Sequence, residues 1–263
     1  MKIVSWNINS LRLRLPLLKK FIDNFAPDII CLQEIKVSND QFPLLEVTAL
    51  GYNFVEFDGE KSYNGVAILS KYPISAHNKI DILNYQQKRH LFTKITTPIG
   101  AINLHNFYVP AGGDIADITL NAKFDHKLKF IDWMGEYFSN NPQPNTIILG
   151  DFNVAPEPDD VWSHRQLLNV VSHTPIEVAK LNKLKKLGNF IDCHRHFAPA
   201  HEKIYSWWSY RALDPLKSNR GRRLDHIWIS QDLQNNLVST KIYVDFRCEN
   251  NPSDHVPVEI EIG

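Results

Sequence analysis

The sequence has few cysteines and no long apolar run, and both absences restrict the class of protein. Its three cysteines, Cys31, Cys193 and Cys248, are odd in number and far apart, so we predict no disulfide framework and expect a reducing compartment. No apolar stretch approaches the roughly 20 residues that cross a membrane. The first residues become polar too early for a signal peptide. These features predict a cytoplasmic protein without a membrane partner.

The sequence also lacks a net charge and the common nucleotide-binding loops. Lysine and arginine together number 29, as do aspartate and glutamate, so the total charge argues neither for nor against binding to nucleic acid. Neither G-x-x-x-x-G-K-[ST] nor G-x-G-x-x-G occurs in the chain. If the protein acts on phosphate, we therefore expect that phosphate in its substrate rather than in a nucleotide cofactor.

The chain does contain a buried strand that ends in polar residues. Residues 147–149 (Ile-Ile-Leu) are typical of a strand buried on both faces, and Gly150 ends the run. Asp151 and Asn153 follow two residues apart, a spacing that points both side chains the same way in an extended chain. A carboxylate there is unfavourable unless a metal, a partner or a reaction uses it. An ordinary strand-to-loop turn is the alternative.

A second apolar run, Ile29–Leu32, leads into Gln33 and Glu34 in the same way and suggests two similar halves that face each other. Short strands and amphipathic helices alternate along the rest of the chain without a linker. We expect one domain over residues 1–263, of the α/β class, with two packed sheets and helices outside. Other predicted features are helices over 11–25, 41–50 and 124–138, a turn at 63–65, a mostly helical stretch over 161–186, a basic loop over 219–223 and a strand over 238–246.

Polar residues end or follow several predicted strands, and their types suit a divalent metal. They are Asn7, Glu34, Asp151, Asn153, Asp225 and the pair Asp254 and His255. Mg²⁺ and Mn²⁺ prefer oxygen ligands, whereas zinc prefers cysteine and histidine. The local cluster 193–196 (Cys-His-Arg-His) does not complete a zinc site, so we interpret it as core or surface. Taken singly, each acid also has a structural explanation, such as an ion pair between Asp225 and Arg223.

A divalent metal among acids, amides and a histidine favours phosphate-ester hydrolysis. The metal neutralises a phosphate oxygen, a carboxylate or imidazole activates water, and amide or tyrosine groups stabilise the developing charge. Several short motifs then occur in order along nearly the whole chain: Trp6–Asn9, Leu32–Glu34, Tyr108–Pro110, Gly150–Asn153, Arg223–Asp225 and Ser253–His255. In this order they resemble the endonuclease/exonuclease/phosphatase superfamily, and most closely its exonuclease III branch of abasic-site endonucleases. The resemblance implies a four-layer α/β sandwich.

The resemblance also implies the ligands of the metal. Glu34 would be the principal ligand, with Asn7 beside it. Asp254 would bind a second metal or a water, and Asp151 and Asn153 are further possible ligands. The implied metal is Mg²⁺, for which Mn²⁺ would substitute. Whether one or two ions act stays open.

The same resemblance implies the catalytic roles. Asp151 would activate the attacking water or protonate the leaving group, and we favour it as the base. Asn153 would orient Asp151 or the water, and Tyr108 would stabilise the reacting phosphate. Asp225 would hold His255 in one tautomer, as a buried acid does for a catalytic imidazole, and His255 would contact the scissile phosphate.

A pocket for a base-free sugar is implied at the aromatic cluster. Trp207 and Leu224 would line it, admitting a flipped deoxyribose and excluding a normal nucleotide by size, whereas we assign Trp208 to the core. The nearby cations Arg220, Arg222 and Arg223 would contact phosphates or enter a groove. Two positions depart from the family pattern. Ala111 replaces a common amide, and Arg222 stands where relatives often have an apolar or aromatic wall.

The implied function is a Mg²⁺-dependent DNA-repair hydrolase that acts as a monomer on double-stranded DNA and associates with a bacterial nucleoid. It would cut 5′ to abasic sites to leave a 3′-hydroxyl, and would also trim or clean damaged 3′ ends. One alternative is a phosphodiesterase or phosphatase acting on a small-molecule or lipid phosphate, such as an inositol phosphate. A second alternative is a nucleic-acid-binding module without catalysis, which the full set of acids, amides and histidine disfavours.

Overall fold

The computed structural model describes residues 1–211 and 214–263. The strands are β1 Lys2–Asn7, β2 Ile29–Gln33, β3 Phe54–Glu60, β4 Tyr63–Ser70, β5 Ile74–Asn78, β6 His90–Thr97, β7 Gly100–Tyr108, β8 Thr146–Asp151, β9 Phe190–Asp192, β10 Trp207–Trp208, β11 Gly221–Arg222, β12 Asp225–Ser230, β13 Leu237–Ile242 and β14 Val258–Ile262. The helices are α1 Leu11–Phe25, α2 Leu44–Ala49, α3 Ala122–Asn140, α4 His164–Leu167, α5 Pro175–Leu187, α6 Cys193–Phe197 and α7 Pro215–Ser218. No helix within these ranges is both long and apolar enough to cross a membrane.

Most of the described strands belong to two six-stranded mixed sheets. The first has the order β13-β14-β1-β2-β4-β3 and the second the order β5-β6-β7-β8-β12-β9. Each sheet has one parallel pair near its centre, β1 with β2 and β7 with β8, and its other pairs are antiparallel. The two sheets therefore repeat one arrangement, as the two similar runs in the sequence suggested.

Side-chain alternation along the strands explains the layers. On β8, Ile147 and Leu149 belong to the apolar cluster between the two sheets. The intervening Ile148 packs on the opposite face, in a cluster with residues of α3 and α5 such as Met134 and Leu184. The outer face of the first sheet packs against α1. The predicted fold, two packed mixed sheets flanked by helices, is confirmed.

Several local predictions were wrong in their boundaries. The turn predicted at 63–65 lies at 61–62, and residues 63–65 begin β4. Within 161–186, only α4 and α5 are helical, and the 238–246 strand ends at Ile242 before a 3₁₀ turn. The basic loop contains β11, which pairs with β10. These errors fall on short elements, which have too few residues to show a hydrophobic period.

Candidate active site

The polar residues named from the sequence meet because the sheets bring the relevant strand ends to one edge. Asn7, Tyr108 and Asp151 are the last residues of β1, β7 and β8. Glu34 directly follows β2. Asp225 is the first residue of β12, which runs antiparallel to β8, so that Asp225 pairs with Asp151 in the register. Tyr108 pairs with Asp151 on the other side.

The Asp151 carboxylate is buried and accepts several hydrogen bonds. Gly150 before it has φ +136° and approaches β7 so closely that a Cβ would lie 1.9 Å from the Phe107 carbonyl oxygen, which only glycine permits. Asp151 is 1% exposed. Its carboxylate accepts hydrogen bonds from Asn7 Nδ2 (2.9 Å), the Asn153 amide (2.9 Å) and Asn153 Nδ2 (3.1 Å). Its position is therefore fixed by its neighbours.

Asp151 and Asn153 do lie side by side, but not for the reason the sequence suggested. An extended chain would place both on one face, whereas Asn153 has φ +53°, in the left-handed region. The chain turns at Asn153, and its amide and carboxamide both reach back to Asp151. Asparagine tolerates this conformation better than most residues do. The two side chains are thus brought together by a turn.

His255 pairs with Asp225 and faces Asp151. The His255 Nδ1 to Asp225 Oδ2 distance is 2.8 Å, and His255 Nε2 lies 3.6 Å from Asp151 Oδ2. Burial alone would lower the pKa of His255, but the negative charges of Asp225 and Asp151 raise it above its usual value. Burial raises the pKa of Asp151, and the negative charges of Asp225 and Glu34 add to that effect. Both pKa values are thus raised, that of Asp151 chiefly by burial and that of His255 by its two carboxylate neighbours.

Asn7 lies between the carboxylates of Glu34 and Asp151. Asn7 Nδ2 donates to Glu34 Oε1 at 2.8 Å as well as to Asp151, so one amide bridges both carboxylates. Lys36 Nζ lies 2.7 Å from Glu34 Oε2. Burial is the main cause that raises the pKa of Tyr108, and the negative charge of Glu34 adds to it, so Tyr108 remains an O–H donor.

Two cations at this site were missed by sequence reasoning. Lys36 contacts Glu34, and the Arg89 guanidinium lies 4.6 Å from the centre of the Tyr108 ring. Arg89 also donates to the Tyr108 carbonyl at 3.3 Å. Lys36 follows Glu34 by two residues, a local signal that could have identified it. Arg89 precedes an unremarkable strand, so no local signal pointed to it.

The donor set fits a divalent cation. Asp151 and Asp225 lie in one group with His255 whose ligand atoms are within 4.8 Å of one another, and Asp225 Oδ1 is buried without a hydrogen-bond partner. The two carboxylates could ligate the cation, whereas His255 Nδ1 is bonded to Asp225. The nearby Glu34 carboxylate and Asn7 carboxamide add oxygen ligands, which Mg²⁺ and Mn²⁺ prefer. Burial is the main cause of the raised pKa of Asp151, and the carboxylates of Asp225 and Glu34 add negative charge that a cation would offset. The cluster 193–196, by contrast, has a buried cysteine and histidine but forms no metal-ligand group among the described residues.

Asp254 connects this site to the predicted pocket. Its Oδ1 accepts from Asn9 Nδ2 at 3.0 Å and its Oδ2 accepts from Trp207 Nε1 at 3.0 Å. Trp207 is half-buried and packs against the cluster that contains Leu224, which is 4% exposed. Trp208 lies in the core, as predicted. Trp207 therefore bonds to one of the acids and packs together with Leu224.

The three arginines near the pocket have different surroundings. Arg220 is exposed and stacks over Trp162 at 4.8 Å. Arg222 Nη1 donates to Ser172 Oγ at 2.6 Å, and its guanidinium lies 5.3 Å from the Trp207 ring centre. Arg223 has no exposed surface.

The prediction that Arg223 contacts DNA was wrong. Its guanidinium is enclosed by two carboxylates, donating to Asp160 from Nε at 2.8 Å and to Asp192 from Nη1 at 2.8 Å. The suggested ion pair with Asp225 does not form either, since Asp225 pairs with His255. A buried guanidinium with two carboxylate partners is unavailable to a phosphate.

Comparison with known proteins agrees with this geometry. The sequence model of the Endonuclease/Exonuclease/phosphatase family matches residues 4–255. Exodeoxyribonuclease III of Haemophilus influenzae is 34% identical over 99% of both chains. Recombination repair protein 1 of Drosophila melanogaster is 33% identical over 99% of this chain and 37% of its own length.

Solved structures give the same result for the fold. An AP endonuclease from Archaeoglobus fulgidus has a TM-score of 0.91 and 32% identity, covering 100% of this chain and 99% of its own. The 3′ phosphatase NExo from Neisseria, bound to a product DNA hairpin, has a TM-score of 0.91 and 28% identity with the same coverage. The chain therefore belongs to the Endonuclease/Exonuclease/phosphatase family, and within it to the exodeoxyribonuclease III group of phosphodiester-hydrolysing enzymes.

Proposed function

We propose that the protein is a Mg²⁺-dependent DNA-repair phosphodiesterase that cuts 5′ to abasic sites and also trims or cleans 3′ ends. The observation that carries the proposal is one cluster of acids, amides and a histidine beside a partly apolar wall formed by Trp207 and Leu224. The relatives add support, because one is an AP endonuclease and another a 3′ phosphatase bound to product DNA. The same features disfavour a small-molecule or lipid phosphate as substrate.

In this proposal, Glu34 and Asn7 would hold the ion, and Asp151 is a further possible ligand. Bound Mg²⁺ supplies positive charge against a non-bridging phosphate oxygen. Mn²⁺ has the same preference for oxygen and should substitute. Asp254 remains a candidate for a second ion or a water, although both of its oxygens already accept hydrogen bonds from Asn9 and Trp207.

The protein's own groups supply the proton transfers. As the water oxygen bonds to phosphorus and the bond from phosphorus to the 3′ oxygen breaks, Asp151 accepts a proton from that water, for which its raised pKa makes it a stronger base. The leaving 3′ oxygen takes up a proton from solvent and becomes the 3′-hydroxyl. Asn153 keeps the carboxylate oriented through its amide and carboxamide. His255, held at Nδ1 by Asp225, presents its Nε2–H to the phosphate. Tyr108 donates its hydroxyl hydrogen to the same group.

The pocket sets the substrate. An apolar wall at Trp207 and Leu224 admits a sugar that has lost its base. Arg222 stacks on Trp207 and is tethered to Ser172, so that it narrows this pocket compared with a smaller apolar residue. Exposed Arg220 is the better candidate for a phosphate contact. Ala111 lacks the side-chain amide that relatives often use to contact the phosphate. In this proposal, the backbone amides of Gly112 and Gly113 make that contact instead.

A labelled duplex with one abasic-site analogue tests the proposal. We expect cleavage on the 5′ side of the lesion with Mg²⁺ and none with excess chelator. Trimming of 3′ ends without cleavage at the lesion would support the hydrolytic mechanism but reject the abasic-site pocket. Arg222→Leu should then allow cleavage at the lesion. Absence of any metal-dependent DNA cleavage would reject the proposal. A steep loss of DNA cleavage with rising salt, at limiting enzyme, further separates DNA from a small neutral substrate.

We also propose that residues 1–263 act as a single domain and a monomer on the DNA of a bacterial nucleoid. Both sheets contribute residues to the one site and share one apolar interior, which supports a single folding unit. A molar mass in solution close to the 30.4 kDa of one chain is the expected result. A stable dimer at assay concentrations would contradict it.

A further inference from the structure

A fully buried ion pair lies directly behind the site. Lys127 on α3 and Glu177 on α5 both have no exposed side-chain surface. Lys127 Nζ donates to Glu177, to the Asn153 carbonyl oxygen at 2.7 Å and to the Ala111 carbonyl oxygen at 3.3 Å. An ammonium group has three N–H donors, so all the donors of Lys127 are used.

Glu177 is held as firmly as its partner. Its carboxylate accepts from the Ser172 amide at 2.9 and 3.0 Å, from the Thr174 amide at 3.1 Å and from the Thr174 hydroxyl at 2.6 Å. Thr174 and Glu177 form the capping box that begins α5. Two buried charges with this many directional partners have little freedom to shift, so Lys127 is a rigid support.

Asn153 connects Lys127 to Asp151. The amide and carboxamide of Asn153 hold Asp151, and the carboxamide also donates to the Val109 carbonyl at 2.9 Å. The backbone carbonyl oxygen of Asn153 accepts a hydrogen bond from Lys127 Nζ. Asn153 adopts a left-handed conformation that needs support from its surroundings.

We infer that Lys127, oriented by Glu177, is a positioning residue for the reaction, because it holds the Asn153 carbonyl and thereby the Asn153–Asp151 contact. The same cation also binds the Ala111 carbonyl, so it fixes the loop after β7 relative to the loop after β8. Gly112 packs on the Lys127 stem, where a Cβ would lie 2.8 Å from Lys127 Cδ. The inference rests on the proposed function, in which Asp151 and Asn153 are catalytic.

The chain offers a matched control for a merely structural role. Lys180 and Asp132 form a second ion pair between α5 and α3, with side chains 24% and 33% exposed. That pair joins the same two helices but contacts no site residue. If Lys127 and Glu177 only fasten these helices together, removal of either pair should alter stability and leave the catalytic step alone.

The test compares Lys127→Met/Glu177→Gln with Lys180→Met/Asp132→Asn. The first double variant removes both buried charges together, so neither is left unpaired as it would be in Lys127→Met alone. On the abasic duplex, we expect its kcat to fall on the order of 10–100-fold, with KM within about twofold of wild type, as is usual when a supporting partner is lost. The control pair should retain wild-type kcat. In an Asn153→Ala background, the loss should shrink to about twofold or less, because Lys127 acts through Asn153.

A structural readout separates this inference from the proposed function. In a crystal structure of Lys127→Met/Glu177→Gln, we expect the Asn153 carboxamide to leave Asp151 by about 1 Å or more, whatever the enzyme cleaves. Failure of the wild type to cleave DNA would reject the proposed function, and the displacement of Asn153 would still decide the inference. An unmoved Asn153, or an equal loss of kcat with and without Asn153, would overturn it.

Discussion

Replacing Arg223 by methionine should destabilise the protein without removing a DNA contact. The Arg223 guanidinium is fully buried and pairs with Asp160 and Asp192. Removing one partner of a buried ion pair costs about 3–5 kcal/mol. Arg195 still pairs with Asp160 in the variant, so Asp192 is the main group that loses its partner, and we expect about 3 kcal/mol. For a domain of this size, that lowers Tm by roughly 6–12 °C.

Urea unfolding followed by tryptophan fluorescence gives the free energy, and salt-dependent DNA binding gives the number of phosphate contacts. For Arg223→Met, the slope of log K against log salt should equal that of wild type. For the exposed control Arg220→Met, stability should be unchanged and the slope should fall by about 0.9 if Arg220 binds one phosphate. A variant at Arg223 that is as stable as wild type and has a reduced salt slope would refute the burial argument.

Three further predictions concern two residues of the site and the buried His105. Asp225→Asn should lower turnover on the order of 100-fold without unfolding the protein, because it frees His255; an effect no larger than that of the surface change Asp23→Asn would reject the pairing. Glu34→Ala should raise the metal concentration for half-maximal turnover about 10–100-fold, and an unchanged titration would remove Glu34 from the ligands. Burial lowers the pKa of His105 to about 3, so below about pH 6.5 the unfolded state takes up a proton that the folded state does not. Stability should therefore fall from pH 7 to pH 5 by up to about 1.4 kcal/mol per pH unit from this group, and His105→Gln should reduce the slope; an unaltered slope would contradict the assignment.

Local sequence patterns were sufficient to predict the sheets and the polar ends of their central strands. The run 147–149 is apolar on both faces because one face meets the other sheet and the other meets α3 and α5. Ile29–Leu32 is apolar for the same reason, with α1 in place of α3 and α5. Both strands could be predicted without reference to distant residues, since a continuous apolar run is typical of a strand buried on both faces.

The surroundings of single charges were not predictable in this way. Arg223 belongs to a basic run that is typical of a surface loop, yet its carboxylate partner Asp160 lies 63 residues away in the sequence. Lys127 lies in α3 between His126 and Leu128, and nothing nearby in the sequence indicates that Glu177 will meet it. The start of α5 was recoverable, by contrast, because Thr174 and Glu177 have the spacing of a capping box. Pairings over long separations in sequence require the fold first.

The turns after the two central strands explain why polar strand ends become one site. Glu34 and Asn153 both have left-handed backbone conformations, with φ of +50° and +53°. Such residues are strained and persist where the surroundings hold them. The Ser10 amide donates to the Glu34 carbonyl at 2.7 Å, and Lys127 donates to the Asn153 carbonyl at 2.7 Å. In each sheet, the chain turns sharply just after one strand of the parallel pair. The carbonyl at that turn accepts a hydrogen bond from a residue distant in the sequence. The chain leaves the sheet there, and Glu34 and Asp151 reach the shared amide of Asn7 from opposite sheets.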